Sequence, residues 1–276
     1  MSLTIEQLGP SHVAALRALL SRDVTHNLYL LGLMEEFGVI CDPRRAPFSF
    51  LGRFHGGELT AALFVGGGGG LVVPSASPQG HIADIVRTLA GHVKLRSALG
   101  EKPLVDTLVQ YLGVSPRFSK AQKLYSVSAD DLGPFTNPLL RQAVESDLPQ
   151  LVPMASACVK ESLDREPLLE DPDWFPVRVA QRVKSGRTYV LEENGQLVFK
   201  LDVGGRSQYG AELEGIYTRP EERNRGHATL CLGQISRFLL SSLPRLTIRI
   251  DDSTHFGEIA RKVGYLAGRA QRLVWV

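Results

Sequence analysis

The stretch Arg223-Asn224-Arg225-Gly226-His227-Ala228 constrains this chain more than any other. An apolar run from Leu213 to Thr218 precedes it and reads as a strand. After it, Cys231, Leu232, Ile235, Phe238 and Leu239 recur at helical spacing over Thr229 to Ser242. The hexamer is therefore a strand-to-helix loop, and its small residues Gly226 and Ala228 let a ligand approach the backbone. The helix behind it aims unpaired N–H groups and the positive end of its dipole at the same spot. Arg223 and Arg225 add charge of a kind that suits phosphate oxygens. The chemistry implied is a pyrophosphate cradle. Spacing alone leaves open the plainer alternative, a helix start with two solvated arginines.

A length of 276 residues allows one large domain or two of ordinary size. The 43% hydrophobic and 22% charged content is that of a globular protein, and a net charge of +2 gives no electrostatic case for a nucleic-acid partner. Cys41, Cys158 and Cys231 are too few and too scattered for a disulfide framework or a zinc site, so no metal is expected. Cys231 falls on the apolar face of its helix as a buried thiol. The N-terminus lacks a basic-then-apolar signal and no run approaches a membrane span, so the expectation is a cytoplasmic protein without a membrane partner.

Along the chain, residues 3–8 alternate like a strand, Ser11 stands as the cap of a helix over 12–20, and 27–37 is a leucine-rich helix. Residues 48–54 and 59–65 read as a hairpin, Gly66 to Gly70 as a hairpin tip, and 71–73 as a strand. Helices follow at 81–90 and 104–112, then a strand at 122–127. Residues 130–138 have linker composition. The pattern then restarts: a strand over 139–144, a helix from 147 capped by Ser146, a helix over 174–185, and a hairpin of 188–191 with 196–203. Local echoes support a tandem repeat. Leu63-Phe64-Val65-Gly66-Gly67 parallels Leu201-Asp202-Val203-Gly204-Gly205, and Gly80-His81-Ile82 parallels Gly226-His227-Ala228. Ser77 then stands where Arg223 stands, and Ser75 to Gln79 carries no arginine. The reading is a degenerate domain over 1–130 that lacks the cradle and an intact one over 137–276.

The run from Ile216 to Ala228 resembles the acetyl-CoA-binding motif of the GNAT superfamily of N-acetyltransferases. Arg223, Gly226 and Ala228 match its Arg-x-x-Gly-x-Gly/Ala positions, and Pro220 matches its usual proline. Leu246 to Ile250 looks like the family's next strand, and Arg261-Lys262-Val263-Gly264-Tyr265 is similar to its helix ending. A degenerate first half joined to an intact second half also resembles a known arrangement among GNAT proteins. The resemblance implies an α/β fold in tandem lobes, each a mixed, mostly antiparallel sheet flanked by helices. It implies acetyl transfer from acetyl-CoA, as co-substrate, to a small-molecule or peptide amine in a ternary complex. A non-catalytic acyl-CoA-binding or regulatory module is the alternative. A homodimer is compatible with either. A backbone N–H of Ile216, Tyr217 or Thr218 would meet the thioester carbonyl, and the loop residues Arg223, Asn224, Arg225, Gly226, His227, Ala228 and Thr229 would hold the pyrophosphate.

Acetyl transfer needs an amine freed of its proton and a thiolate able to leave. Glu212 and Glu214 alternate along the strand before the loop and share a face, which Ile216 joins unless Gly215 makes a bulge. Glu214, nearer the cradle, is the candidate base, with Glu212 second. The tyrosine that many family members place four residues before the glycine ending the last helix is Ala260 here. Asp251, Asp252, Ser253 and Thr254 occupy the place of the family's asparagine. Tyr217, Tyr265 and His255 are the substitute acids, with Tyr265 also readable as a packing residue. His227 reads as an exposed loop histidine, and Glu161 with Glu170-Asp171-Pro172-Asp173 as acidic groups facing either a cationic amine or solvent.

Overall fold

The computed structural model describes residues 2–39, 48–67, 69–78, 80–89 and 92–276; Cys41, Gly68, Gln79 and Ala90 lie outside them. The chain forms two compact units, one of Met1–Leu124 with Arg249–Thr254 and Ala267–Val276, the other of Tyr125–Ile248 with His255–Leu266. No helix among the described residues is long and apolar enough to cross a membrane.

The first unit opens with β1 (Leu3–Gln7), α1 (Val13–Ser21), α2 (Val24–Phe37), β2 (Phe48–His55), β3 (Glu58–Gly66) and β4 (Leu71–Ala76). It continues through α3 (Ile82–Leu89), β5 (Ser97–Glu101), α4 (Lys102–Leu112) and most of β6 (Phe118–Val127). In its sheet β1 to β5 follow one another, antiparallel except that β4 and β5 run parallel. β3 is buried along nearly its whole length, as a central strand covered on both faces must be. Ile82, Ile85 and Val86 of α3 and Val105 and Leu108 of α4 pack against Leu63, Val65 and Val72. Each such side chain contributes about 1.5–3 kcal/mol by leaving water. Asp23 starts α2 by accepting the His26 N–H at 3.2 Å, a cap worth about 1 kcal/mol.

The second unit holds β7 (Arg141–Gln142), α5 (Leu148–Leu163), α6 (Pro167–Glu170), α7 (Trp174–Lys184), β8 (Thr188–Glu193) and β9 (Gln196–Ser207). After them come β10 (Gly210–Thr218), α8 (His227–Leu240), the first half of β11 (Leu246–Asp251, whose last three residues count with the first unit) and α9 (Phe256–Val263). Its strand order is β11-β10-β9-β8-β7, antiparallel except for the parallel pair β10 and β11. One face is closed by α5 and α7, whose Leu151, Met154, Cys158, Phe175 and Val179 pack on Val190, Leu197 and Tyr217. Both units therefore follow one scheme, a mixed and mostly antiparallel sheet in which a helix crosses between two parallel strands, as the tandem-lobe reading expects.

Three details differ from the sequence reading. Ser11 and Ser146 are not helix caps but lie inside short 3-10 turns, Pro10–His12 and Glu145–Asp147. At the second turn the carboxylate that takes a free N–H is Asp147, accepting from Val144 at 2.8 Å. The Arg141 guanidinium donates to both Asp147 oxygens (2.7 and 2.9 Å) and holds that carboxyl below its ordinary pKa. Finally, β5 and the last strand, β12 (Leu266–Trp275), have no counterpart in the sequence reading. β12 pairs antiparallel with β5 from Gln271 against Glu101 to Trp275 against Ser97, and Ala267–Val276 counts with the first unit rather than with His255–Leu266, which precedes it.

A chain ending at Gly264 should therefore lose protection in the first unit. Amide exchange at Ser97–Glu101 is expected to rise toward the unfolded rate, and unchanged exchange there would contradict the role given to β12.

Candidate functional site

The site is built where β10 changes register. Glu214 lies opposite Asp202 on β9, while Tyr217 lies opposite Lys200, so three steps on β10 face two on β9. Gly215 carries the extra residue at φ +56°, a left-handed conformation that costs other residues about 1–2 kcal/mol. The bulge expected as an exception is thus present. It keeps Glu214 and Tyr217 on one face and takes Ile216 off it. Parallel pairing with β11 is confined to Ala211–Leu213 against Leu246–Ile248, so the N–H groups after the bulge are not used in that ladder.

A chain of charges lies beside the bulge. Lys200, 3% exposed, donates from Nζ to Asp202 Oδ2 at 2.6 Å, and Asp202 is itself 5% exposed. Thr188 Oγ1 donates to Asp202 Oδ1 at 2.7 Å. Arg182, from α7, places Nη1 3.4 Å from Asp202 and Nη2 2.7 Å from Glu214 Oε1. The missing side chain of Gly215 makes room for this pair, since a Cβ there would stand 2.5 Å from Asp202 Oδ2 and 3.1 Å from Lys200 Nζ. Cys158 of α5 approaches the Ile216 carbonyl at 3.8 Å, and burial pushes its thiol above the ordinary cysteine pKa.

The loop after β10 has two residues at positive φ, Asn224 at +63° and Gly226 at +85°. Paired left-handed turns of this kind gather successive N–H groups into anion-binding concavities. The first bond of α8 runs from the Leu230 N–H to the Gly226 carbonyl, so the N–H groups of His227, Ala228 and Thr229 precede the helical ladder. A Cβ on Gly226 would meet nothing within 4 Å, so the space in front of this helix start is open. The helix begins at His227, two residues earlier than its apolar spacing suggests.

The two arginines are exposed, and each is also paired with a carboxylate. Arg223 grips Glu161 of α5 with both carboxylate oxygens at 2.7 and 2.8 Å, donates to the Thr218 carbonyl at 3.0 Å, and lies over the Tyr217 ring. Arg225 pairs with Glu222 at 2.6 Å. Both pairs are exposed and so hold the guanidinium groups only weakly. His227, expected as an exposed loop residue, is 8% exposed and opens the helix.

The corresponding connection in the first unit is closed. Ser77 N–H and Gly80 N–H are both spent on carbonyls, of Thr60 at 2.9 Å and of Ser77 at 2.8 Å. A Cβ on Gly80 would stand 2.0 Å from the Thr60 oxygen.

Several solved structures share this architecture. A Drosophila protein is 16% identical with a TM-score of 0.69 over 99% of this chain and 98% of its own. A tandem GNAT protein from the clavulanic acid biosynthesis pathway is 12% identical with a TM-score of 0.60 over 100% and 98%. A GNAT-family acetyltransferase from Colwellia psychrerythraea is 10% identical with a TM-score of 0.56 over 99% and 100%. The fold is a tandem GNAT fold. No family model and no curated protein matches the chain. At these identities the likeness is one of fold, and the chemistry has to be read from the residues.

In this GNAT fold the remaining candidates separate by burial. Ala260, at the position of the family's tyrosine, is fully enclosed on α9. Tyr265 is also fully buried, its hydroxyl bonded to Ser236 at 2.7 Å and its pKa pushed upward by burial, so it packs and has no access to a ligand. His255 is exposed ahead of α9 and makes no side-chain cap. Tyr217 faces α5, and burial followed by Glu161 raises its pKa, so the phenol stays protonated through neutral pH. Glu212 is 5% exposed, whereas the Glu214 side chain is 34% exposed. Of the acidic loop, Glu170 pairs with Arg165 and Asp171 with Arg178. Burial drives the Cys231 thiol up to about 12. Sequence reasoning missed Arg182, Lys200 and Asp202.

Gly215 and Gly226 share a left-handed backbone but not a neighbourhood. Gly226→Ala should cost only the backbone term, about 1–2 kcal/mol. Gly215→Ala adds displacement of the Lys200–Asp202 pair and should cost about 3–5 kcal/mol, the range for disrupting a buried pair. Urea unfolding of the two variants measures the difference, and equal midpoints would refute it.

Proposed function

We propose that the second unit binds acetyl-CoA and transfers its acetyl group directly to an amine. The observation that carries the reading is the open helix start at Gly226, where a left-handed glycine fronts N–H groups outside the helical ladder and no protein atom occupies the space. A pyrophosphate fits such a place because the donors are fixed before it arrives. Acetyl-CoA supplies an activated thioester. The N–H groups of Ile216, Tyr217 and Thr218, beyond the bulge, are the donors available to its carbonyl oxygen. Arg223, Asn224 and Arg225 form the rim of the cradle, with Gly226, His227, Ala228 and Thr229 supplying its floor.

Glu214 is the proposed base, directly or through a water. It is reachable where Glu212 is enclosed, and Arg182 fixes its carboxylate from the other side. As the amine nitrogen forms the new C–N bond and the C–S bond breaks, Glu214 takes up the amine's proton and the thiolate leaves. Tyr217 is the proposed proton donor on the same face. Cys158 and Cys231 are protonated at neutral pH and give no support to a covalent acyl carrier. The second reading, a non-catalytic acyl-CoA-binding module, is favoured by one observation, the enclosed Ala260 and Tyr265 where a phenol would otherwise serve.

Release of free thiol from acetyl-CoA with a panel of amines separates the two readings. Gly226→Val should abolish acetyl-CoA binding by calorimetry, because its side chain fills the open space. Glu214→Gln should keep that affinity within a few-fold and lower turnover by roughly 100- to 10,000-fold. Full turnover in Glu214→Gln would remove Glu214 from the base role. Tight binding without transfer to any amine would leave the binding module as the account.

A further inference from the structure

His227 is the residue the fold explains least. Its side chain is more than nine-tenths buried, yet Nε2 has no hydrogen-bond partner. Leaving a buried polar atom unpartnered costs about 1–3 kcal/mol, and an apolar side chain would avoid that cost. The ring is flanked by two carboxylates from different elements. Glu193, at the end of β8, places Oε1 3.6 Å from Nδ1. Glu222, in the 3-10 turn Pro220–Glu222, places Oε2 3.9 Å from Nε2. Both gaps are too long for hydrogen bonds. One ligand atom from each of the three residues lies within 4.8 Å of the others.

We propose that Glu193, Glu222 and His227 bind a divalent transition-metal ion, with zinc the best-suited class. An imidazolium held by two carboxylates would draw them in to about 2.7–2.9 Å. The observed gaps are wider. An imidazole gives one ion one nitrogen, so only one of the two gaps is a spacing between ligands. The 3.9 Å from Nε2 to Glu222 is somewhat wider than the roughly 3.4 Å between ligand atoms bonded at about 2.1 Å to a tetrahedral ion, and Glu193 would close onto the same ion from within the 4.8 Å that spans the three ligand atoms. One imidazole with two carboxylates suits zinc, iron or nickel better than magnesium or calcium, which prefer all-oxygen sets. The Glu222 oxygen facing His227 also accepts from Arg225 at 2.6 Å, and ligating carboxylates are commonly held by such a donor. The Glu193 side chain is 38% exposed, which gives an ion a way in while the imidazole stays enclosed. The end of α8 opposes a cation with roughly half a positive charge, and Arg225 opposes it too. Two full carboxylate charges at the ion exceed the half charge of the helix that His227 opens, and Arg225 is already turned onto Glu222. Three protein donors leave coordination positions for water or an anion. The proposal does not rest on acetyl transfer.

The test is calorimetric titration of the chelator-treated full chain with zinc chloride, with cobalt(II) absorption as a second readout of the ligand set. One ion per chain is expected, with no heat from magnesium at the same concentration. Glu193→Gln and His227→Gln should each weaken zinc by at least about tenfold, since even the loss of an outer partner costs that much. Glu193 is partly exposed, so Glu193→Gln keeps the fold even if His227→Gln does not. His81→Gln, at an exposed position on the first unit, should change nothing. No saturation up to about 1 mM zinc, or binding that Glu193→Gln leaves unchanged, overturns the proposal.

Discussion

A lysine and an aspartate, both almost wholly out of water and 2.6 Å apart, set the terms for the second unit. Taking either charge out of solvent alone would cost several kcal/mol, so neither Lys200 nor Asp202 can be housed without the other. The pair fits only because β10 carries a bulge and the bulge residue has no side chain. That bulge shifts the register of β10 on β9 and carries Ile216 off the face shared by Glu214 and Tyr217. Arg182 then links Asp202 to Glu214, so the proposed base is oriented by a pair buried in the sheet. An apolar pair of equal volume would serve stability as well or better. The ion pair fixes one arrangement of strand, bulge and carboxylate.

The two strand-to-helix connections show how such a site closes. The first unit lacks the arginines of the second, and the sequence reading rested on that difference. The structure puts the decisive difference elsewhere. The second unit's arginines are exposed and paired with Glu161 and Glu222, partners that the loop sequence does not show. What separates the loops is backbone: at Gly80 a carbonyl fills the space and takes up an N–H, while at Gly226 the space is free. A single carbonyl of β3, that of Thr60, closes the first connection.

The sequence was most legible where local pattern decides structure. The strand, loop and helix from Gly210 to Leu240, the hairpins and the amphipathic helices all have short-range signals, and they were read to within a few residues. The bulge was legible as a condition on Gly215. The charge array left one usable trace. Lys200 and Asp202 interrupt the apolar run Leu197 to Val203 two residues apart, which puts both on one face of a strand that reads as buried. Buried like that, they had to be paired, but nothing local named Arg182 as the third partner. β5 and β12 were not legible because Ser97 to Glu101 is short and small-sided, and the place of β12 depends on a pairing across about 170 residues. The pairing of Arg223 with Glu161 was not legible because Glu161 lies on a helix far away in the sequence.

The placement of β12 carries a consequence for how the chain comes into being. The ribosome delivers residues in order, at about 5–20 per second. The first unit's strands β1 to β5 are complete once residue 101 has emerged, yet the strand that covers the free edge of β5 is made only after those of the second unit. For the time needed to synthesise the whole second unit, β5 offers a row of unpaired N–H and C=O groups to whatever strand is near. An open edge of that kind is a template for wrong pairing, with a neighbouring nascent chain above all. The interval of greatest exposure to aggregation is therefore written into the order of the strands, and it closes only when Gln271 to Trp275 reach their partners.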